Sequence, residues 1–458
     1  MPRITAIFCG LVFATACATF YESNIQYNRQ FEQGNLQQAL EELHRNSRLQ
    51  KPQVRFLYYV NAGLMHSMMG QYEESNSWFE KAFLFGEDFR VNYAREALSY
   101  ITNPMVTMYR GEDHEHLMVL YYKALNFAKM GRFEEALVEC RRLNIRLQQL
   151  SDRYSSENRY REDAFIHNLM GILYQASGDW NNAFIAYRNA YNIYRNFYTG
   201  KFGIQPPEQL KRDLLRAARM TGFTEEYQWY KELFGIEEES FNPEAELILL
   251  WHNGLAPVKD EWSINFMIYR GEGNTIWITN PDLGFNFSFQ VSDEDRNSLS
   301  QLEFFRVAFP RYVERPLAYQ SATAQIGDET FMLEPAEDIN QIAKLCLQER
   351  MALEFSKSLI RVALKKATEY SVRKENRAMG GVISAINAMT ETADTRNWQT
   401  LPHSIYYARI PLKAGKQTLK LNLEGRAGTH TEEFSYQPEK GQTLFHTFTS
   451  LEALQPLR

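Results

Sequence analysis

The chain has 458 residues, a formal net charge of −6 and 14% aromatic residues, a length that suggests about three domains at roughly 150 residues each. The acidic balance argues against a whole-chain nucleic-acid binder, and the aromatic content against a disordered chain. Four scattered cysteines exclude a disulfide scaffold or an all-cysteine zinc module, and no apolar run reaches the roughly eighteen residues of a membrane-spanning helix.

At the amino terminus Arg3 precedes an apolar stretch from Ile4 to Phe13, the length of a signal-peptide core. Ala14-Thr15-Ala16-Cys17 follows and resembles a bacterial lipobox, in which small side chains admit the signal peptidase and a cysteine thiol receives the lipid. On this reading residues 1–16 are removed and Cys17 is the lipid-attachment residue, several acyl chains giving a stable anchor. Ala18, where Asp would mark inner-membrane retention, points to the outer membrane. The other reading is an ordinary secretory signal cut after Ala16 or Ala18, with Cys17 incidental. Cys140 and Cys346 then remain. Both fall in apolar helical patterns and are expected as buried free thiols, a disulfide between them being the alternative.

Residues 17–236 carry an internal repeat. Gly171, Tyr174, Gly178, Trp180, Ala183, Tyr187 and Ala190 follow the spacing of a tetratricopeptide hairpin. Small residues stand where two helices cross, aromatics fill the space between hairpins, and a glycine makes the turn. The same frame recurs at Gly63, Gly70, Tyr72, Ser75, Phe79 and Ala82, and at Ala124, Gly131, Phe133, Ala136 and Cys140. A weaker copy surrounds Gly34, and a degenerate one runs from Gln209 to Phe234 around Gly222. An extra helix is expected over about Val91 to Tyr100. Such hairpins stack into a curved α-solenoid whose groove takes a peptide or protein partner, an inference by fold analogy. Tyr58, Tyr59, Tyr121, Tyr122, Tyr191 and Tyr194 are the candidate groove residues, inter-repeat packing being the other reading of each.

Residues 237–244 read as a linker, and the period then changes. Glu246 to His252 is a continuous apolar run, a buried-strand pattern. Further strands are expected near 262–269, 275–279, 285–290, 304–309, 318–326, 404–410, 418–423 and 443–449. A helical hairpin interrupts them at about 335–392, its acidic start at Glu334 to Asp338 and its second helix at Val382 to Thr392. Residues 245–458 are therefore expected as an α+β domain, a β-sandwich-like or barrel-like sheet with an inserted helical hairpin, following the tetratricopeptide-like solenoid.

The segments His252-Asn-Gly-Leu-Ala-Pro-Val258, Leu333-Glu-Pro-Ala-Glu-Asp-Ile339 and Ala393-Asp-Thr-Arg-Asn-Trp-Gln-Thr-Leu-Pro402 carry a resemblance to a family of uncharacterised bacterial lipoproteins with amino-terminal tetratricopeptide-like repeats. The resemblance covers nearly the whole chain and is best after residue 245. In some bacteria its members are similar in genomic company to lipoprotein activators of penicillin-binding proteins, which implies a place in envelope assembly.

Asp394, Arg396 and Trp398 form the best candidate cluster. Asp and Arg are suited to hold a polar ligand while Trp stacks on a sugar. Alternatively the three are structural, a turn-capping ion pair and a plug. Lys357, Arg361 and Lys365 share one helical face, suited to anionic headgroups or an acidic partner, or simply solvated. His114-Glu115-His116 reads as a polar loop with solvated histidines, since a third metal ligand is lacking nearby. No Gly-x-Ser-x-Gly, P-loop or His-Glu-x-x-His motif occurs. The expectation is a non-enzymatic adapter of the cell envelope without cofactor, metal or nucleic acid. It would be tethered through lipid, face the periplasm and bind protein or peptide partners. A glycan-binding or glycan-processing protein using the carboxy-terminal domain is the alternative.

Overall fold

The computed structural model describes residues 19–88, 108–152, 160–236, 243–299, 302–375 and 393–451. Cys17, the expected helices at 91–100 and 382–392, and most of the linker lie outside these residues.

Helices α1 (Phe20–Ser23) and α2 (Ile25–Glu32) open the fold, and α2 forms a first hairpin with α3 (Leu36–Arg45). Three longer hairpins follow: α4 (Arg55–Met68) with α5 (Tyr72–Asp88), α6 (Asp113–Lys129) with α7 (Phe133–Ser151), and α8 (Ala164–Ala176) with α9 (Trp180–Ile193). A last hairpin joins α10 (Glu208–Thr221) to α11 (Thr224–Phe234). All five turns hold their glycine (Gly34, Gly70, Gly131, Gly178, Gly222) at φ between 71 and 81°, the left-handed region that other residues avoid. Gly171 has no room for a side chain, because a Cβ there would lie 2.4 Å from the Tyr187 ring. The repeat frame is thus set by close helix crossing, as the sequence spacing predicts. Asp163 and Asp179 begin α8 and α9 by accepting from the backbone N–H of Ile166 (2.8 Å) and Asn182 (3.1 Å).

The remainder builds three four-stranded sheets. The first is ordered β12 (Thr443–Ser450), β1 (Ala245–Asn253), β9 (Ser404–Leu412), β8 (Glu334–Asp338), with β1 parallel to β12 and antiparallel to β9. The second is antiparallel: β11 (Gly428–Tyr436), β10 (Gln417–Gly425), β6 (Tyr319–Ile326), β7 (Glu329–Met332). The third is also antiparallel: β4 (Phe285–Gln290), β3 (Thr275–Asn280), β2 (Val258–Arg270), β5 (Phe304–Val313). The first two share a core of Leu247, Leu249, Trp251, Ile410, Leu419 and Leu421, which makes them a sandwich. The third packs on the long helix α13 (Ile339–Glu375) through Phe266, Ile276, Phe305, Leu359 and Ala363. A short helix, α12 (Asp293–Leu299), links β4 and β5.

β1 explains its own sequence. Leu247, Leu249 and Trp251 face the sandwich core, while Ile248 and Leu250 join the core of the helical array. A strand covered on both faces reads as an unbroken apolar run. One hydrophobic core therefore runs from α1 through the hairpins to Ile248, Ile342, Trp398, Leu401 and Tyr407 of the sheet-bearing half.

Two expectations about the elements are corrected, and two strands are added. Residues Glu334–Asp338 form strand β8 and not the first turn of a helix; they pair with β9 across a register shift between Pro335 and Glu337, and α13 starts only at Ile339. His114 and His116 occupy the first turn of α6 and are buried, because Glu112 and Glu115 form a reciprocal cap that starts the helix there. β7 and β11 were not anticipated. Cys140 and Cys346 are buried free thiols.

Candidate functional site

One face of the helical array is covered by the chain's own carboxy-terminal half. The segment Ala393 to Ser404 inserts between the hairpins and β2. The Arg396 guanidinium, 1% exposed, donates to both Asp394 carboxylate oxygens (2.8 and 2.6 Å) and to the Gln53 carbonyl (2.8 Å). The Trp398 N–H donates to Glu115 Oε1 (2.6 Å), its indole Nε1 donates to Thr400 (2.9 Å), and its ring lies 6.0 Å from those of Phe79 and Tyr122. Thr400 Oγ1 donates to Asn61 (2.6 Å), and the Phe20 N–H donates to Thr395 Oγ1 (3.1 Å).

Buried charge reinforces this seam. Glu112 pairs with Lys259 and with Arg350 (2.8 Å), and these cations hold its carboxyl well below the usual range against the opposing effect of burial. Glu115 lies beside it without an ion pair among the described residues. Burial, aided by the Glu112 charge, pushes its carboxyl up to about 7. Tyr121 of α6 hydrogen-bonds His252 Nε2 of β1 at 2.8 Å, and burial lowers His252 to about 3. Beyond α9 a π-turn, Tyr194–Tyr198, aims two hydroxyls at β8: Tyr194 donates to the Ala336 carbonyl (2.8 Å) and Tyr198 to Glu337 (3.2 Å).

These contacts correct the groove assignment. Tyr121, Tyr122 and Tyr194 are sealed between the two halves, and Tyr191 is buried against Tyr230 and Phe234 of the last hairpin. Tyr58 and Tyr59 alone among the six are half-buried, packed around Trp78. Trp398 is fully buried and presents no ring face to a sugar. Its place in the seam removes the observation that favoured a glycan site. Lys365 is half-buried on α13, and the side chains of Lys357 and Arg361 lie outside the described residues. No group of His, Cys, Asp and Glu able to hold a metal occurs among the described residues, and no helix among them is long and apolar enough to cross a membrane.

A recess of about 430 Å³ opens where the last hairpin meets the sandwich edge. Arg212, Arg216 and Arg219 line it from one face of α10, at spacings of four and three residues. Leu215, Tyr227 and Ile236 supply apolar lining on the helical side, and Thr330, Phe331 and Met332 of β7 supply the opposite wall. Of the acids around it, Glu334 and Asp213 of the lining and Glu246 behind it are engaged in the wall, while Glu208 of the lining is exposed and pairs with Lys211. Glu334 accepts from the first N–H groups of α10, Glu208 (2.7 Å) and Gln209 (2.9 Å). Glu246 accepts from Arg216 (3.0 Å) and pairs with Arg409. Asp213 lies 3.2 Å from Arg409 Nε, off the hydrogen-bonding line, and burial raises its carboxyl to about 6 against the pull of that arginine. Arg212 and Arg219 stand exposed at the mouth. The spacing of the three arginines is visible in the sequence. Their use is not, because the opposite wall is the unanticipated β7.

No protein-family model and no curated protein matches the chain. Among solved structures it is similar to BtubC (BKLC) from P. vanneervenii, at 15% identity over 47% of this chain and 81% of that chain, with a TM-score of 0.31. It is similar to MamA at 12% identity over 45% and 90% of the two chains, TM-score 0.29. It is also similar to the Rap conjugation gene regulator of plasmid pLS20 in complex with the Phr* peptide, at 17% identity over 47% and 52%, TM-score 0.28. These superpositions are loose, so the helical-repeat assignment rests on the hairpins themselves.

Proposed function

We propose that the protein is a non-enzymatic binding scaffold that takes a protein partner at the recess between α10 and β7. The observation that carries this reading is the composition of that recess: an apolar lining between two rigid elements, with arginines at its mouth. The same hairpin leaves Met220 and Trp229 about half exposed (52 and 54%), and Met332 on β7 is 66% exposed. Exposed apolar side chains beside a recess are what a partner would cover. α6 and the turn after α9 are covered by the first sheet and the inserted segment, so the partner binds at the end of the array and not against that covered face.

The residues around Cys17 support a cell-envelope setting, with the scaffold lipid-tethered and facing the periplasm. The resemblance of 393–402 to envelope lipoproteins supports the same setting. The test has two arms. Mass spectrometry of the mature amino terminus should find an acylated Cys17, and a Cys17→Ser chain should leave the membrane fraction. A photo-crosslinking residue at Met332 should capture one reproducible partner in cells, and the same residue at exposed Leu84 on α5 should not. Identical capture at both positions, or none at either, would reject the recess as the binding site.

A further inference from the structure

We infer that the outer face of the third sheet is a binding platform for an uncharged oligosaccharide, whose sugar rings lie on Trp277 and Tyr269. The inference goes beyond the scaffold reading, shares no residue with the recess and does not involve the sealed Trp398.

Alternation divides this sheet. Phe266, Ile276, Ile278 and Phe305 pack on α13, and the residues between them point to solvent. Four of those are large and apolar: Met267 (37% exposed), Tyr269 (52%), Trp277 (38%) and Phe304 (68%). Tyr269 stands opposite Trp277, and Met267 opposite Phe304, so the four form one patch. Two details lay its rings down. The Tyr269 hydroxyl reaches back to Met267 Sδ (3.4 Å), so the ring lies along β2. Gly271 is outside the left-handed region that favours glycine, yet a Cβ there would lie 3.0 Å from Trp277 Nε1 and 3.3 Å from Cδ1. The indole therefore leans over bare backbone, and the glycine serves the ring and not the turn.

The rim names the occupant. The other outward residues of β3 and β4 include Thr275, Asn286, Ser288 and Gln290, and Asn265 extends the face on β2. Among the outward residues of 265–269, 275–279, 286–290 and 304–306, Arg306 alone is charged. An ordinary solvated face looks different: on the β10–β11 hairpin Lys420 pairs with Glu433 at 3.2 Å, both more than half exposed. Aromatic faces ringed by amides and hydroxyls suit a pyranose, whose C–H face packs on the ring while its hydroxyls reach the rim. A polyanion needs several cations and would find one. The face spans three strand spacings by about four residues, roughly 14 by 13 Å. That is well below the ~800 Å² per partner of a standard protein interface, but it holds a short sugar chain.

The experiment titrates the full chain by calorimetry with cellohexaose, N-acetylchitohexaose, maltohexaose, a heparin hexasaccharide and phosphatidylcholine–phosphatidylglycerol vesicles. At least one uncharged sugar should bind about tenfold or more tightly than the heparin fragment. Trp277→Ala and Tyr269→Ala should each weaken that binding about tenfold at a melting temperature close to wild type, since both rings are exposed. Trp277→Phe, which keeps a ring, should retain most of it, and Gly271→Ala, which displaces the indole, should weaken it several-fold. No binding by any of the three uncharged sugars, equal binding of heparin, or binding that survives the double substitution overturns the inference. Vesicle binding that depends on the two rings, without sugar binding, assigns the face to the membrane and overturns it too. Capture through Met332 does not involve this sheet, so the scaffold reading and the sugar platform fail separately.

Discussion

The backbone N–H of Trp398 lies 2.6 Å from Glu115 Oε1, so a residue of the carboxy-terminal half is bonded into the first turn of α6 across 283 positions of chain. Glu115 also accepts from the Tyr109 hydroxyl (2.8 Å) and the Glu112 N–H (3.0 Å). This one carboxyl, buried and held up near 7, touches the cap of α6, the loop before it and the inserted segment.

Its titration gives the first prediction. The carboxyl's folded pKa, about 7, lies above its unfolded value of 4.5. The folded state then binds more protons than the unfolded state between those two values, so stability falls as pH rises through that window. Replacement by Gln removes this contribution. The melting-temperature difference, wild type minus Glu115→Gln, should shrink between pH 5 and pH 8 by the equivalent of about 1–3 kcal/mol. The buried histidines, such as His252, act in the opposite direction but are common to both chains and cancel. A pH-independent difference would refute the assignment.

Trp398→Ala deletes the largest side chain of the inserted segment from a fully buried site against Phe79 and Tyr122. It should cost about 3–5 kcal/mol in urea unfolding. Trp277→Ala on β3, where the ring is 38% exposed, should cost markedly less. The comparison separates seam packing from the general loss of an indole.

Arg396→Lys keeps the charge and loses the fork. The guanidinium bonds both Asp394 oxygens and the Gln53 carbonyl at once. A single ammonium cannot reproduce that geometry. A loss of about 1–3 kcal/mol is expected, measured by chemical denaturation. A neutral outcome would show that the Asp394 pair is not part of the seam's stability.

Gly171→Ala tests the repeat crossing. Its Cβ would sit 2.4 Å from the Tyr187 ring, whose hydroxyl accepts from Arg409 at 3.0 Å. The ring must shift, and the Arg409 contact with it. Destabilisation of about 1–3 kcal/mol is expected, with Gly200→Ala, where nothing lies within 4 Å, as the control.

Sequence signals set by local backbone geometry are legible in the chain, and those set by distant partners are not. The hairpin turns were legible because Gly34, Gly70, Gly131, Gly178 and Gly222 are local requirements of backbone geometry. β1 was legible because both its faces are apolar. β8 was misread as a helix start because Glu334 and Glu337 look like an acidic first turn. In the fold one caps α10 and the other meets Tyr198, and both partners lie more than a hundred residues away in the chain. Tyr121 and Tyr194 were misread for a related reason: repeat spacing says that an aromatic points out of a hairpin, not what it will meet. The recess is not legible in the sequence because its arginines belong to the most degenerate repeat and its far wall to a four-residue strand.

The start of the fold has a consequence for reach. Thr19 and Glu22 form a reciprocal cap on α1, and the Phe20 N–H is tied to Thr395. Only two residues, Ala18 and Thr19, separate Phe20 from Cys17, a span of about 10 Å at full extension. Were acyl chains carried on Cys17, the leash would be almost nil, and the first hairpin would ride at the headgroup level. A partner meeting such a scaffold would find it docked at one end, the α10 recess lying at the other end of the hairpin series.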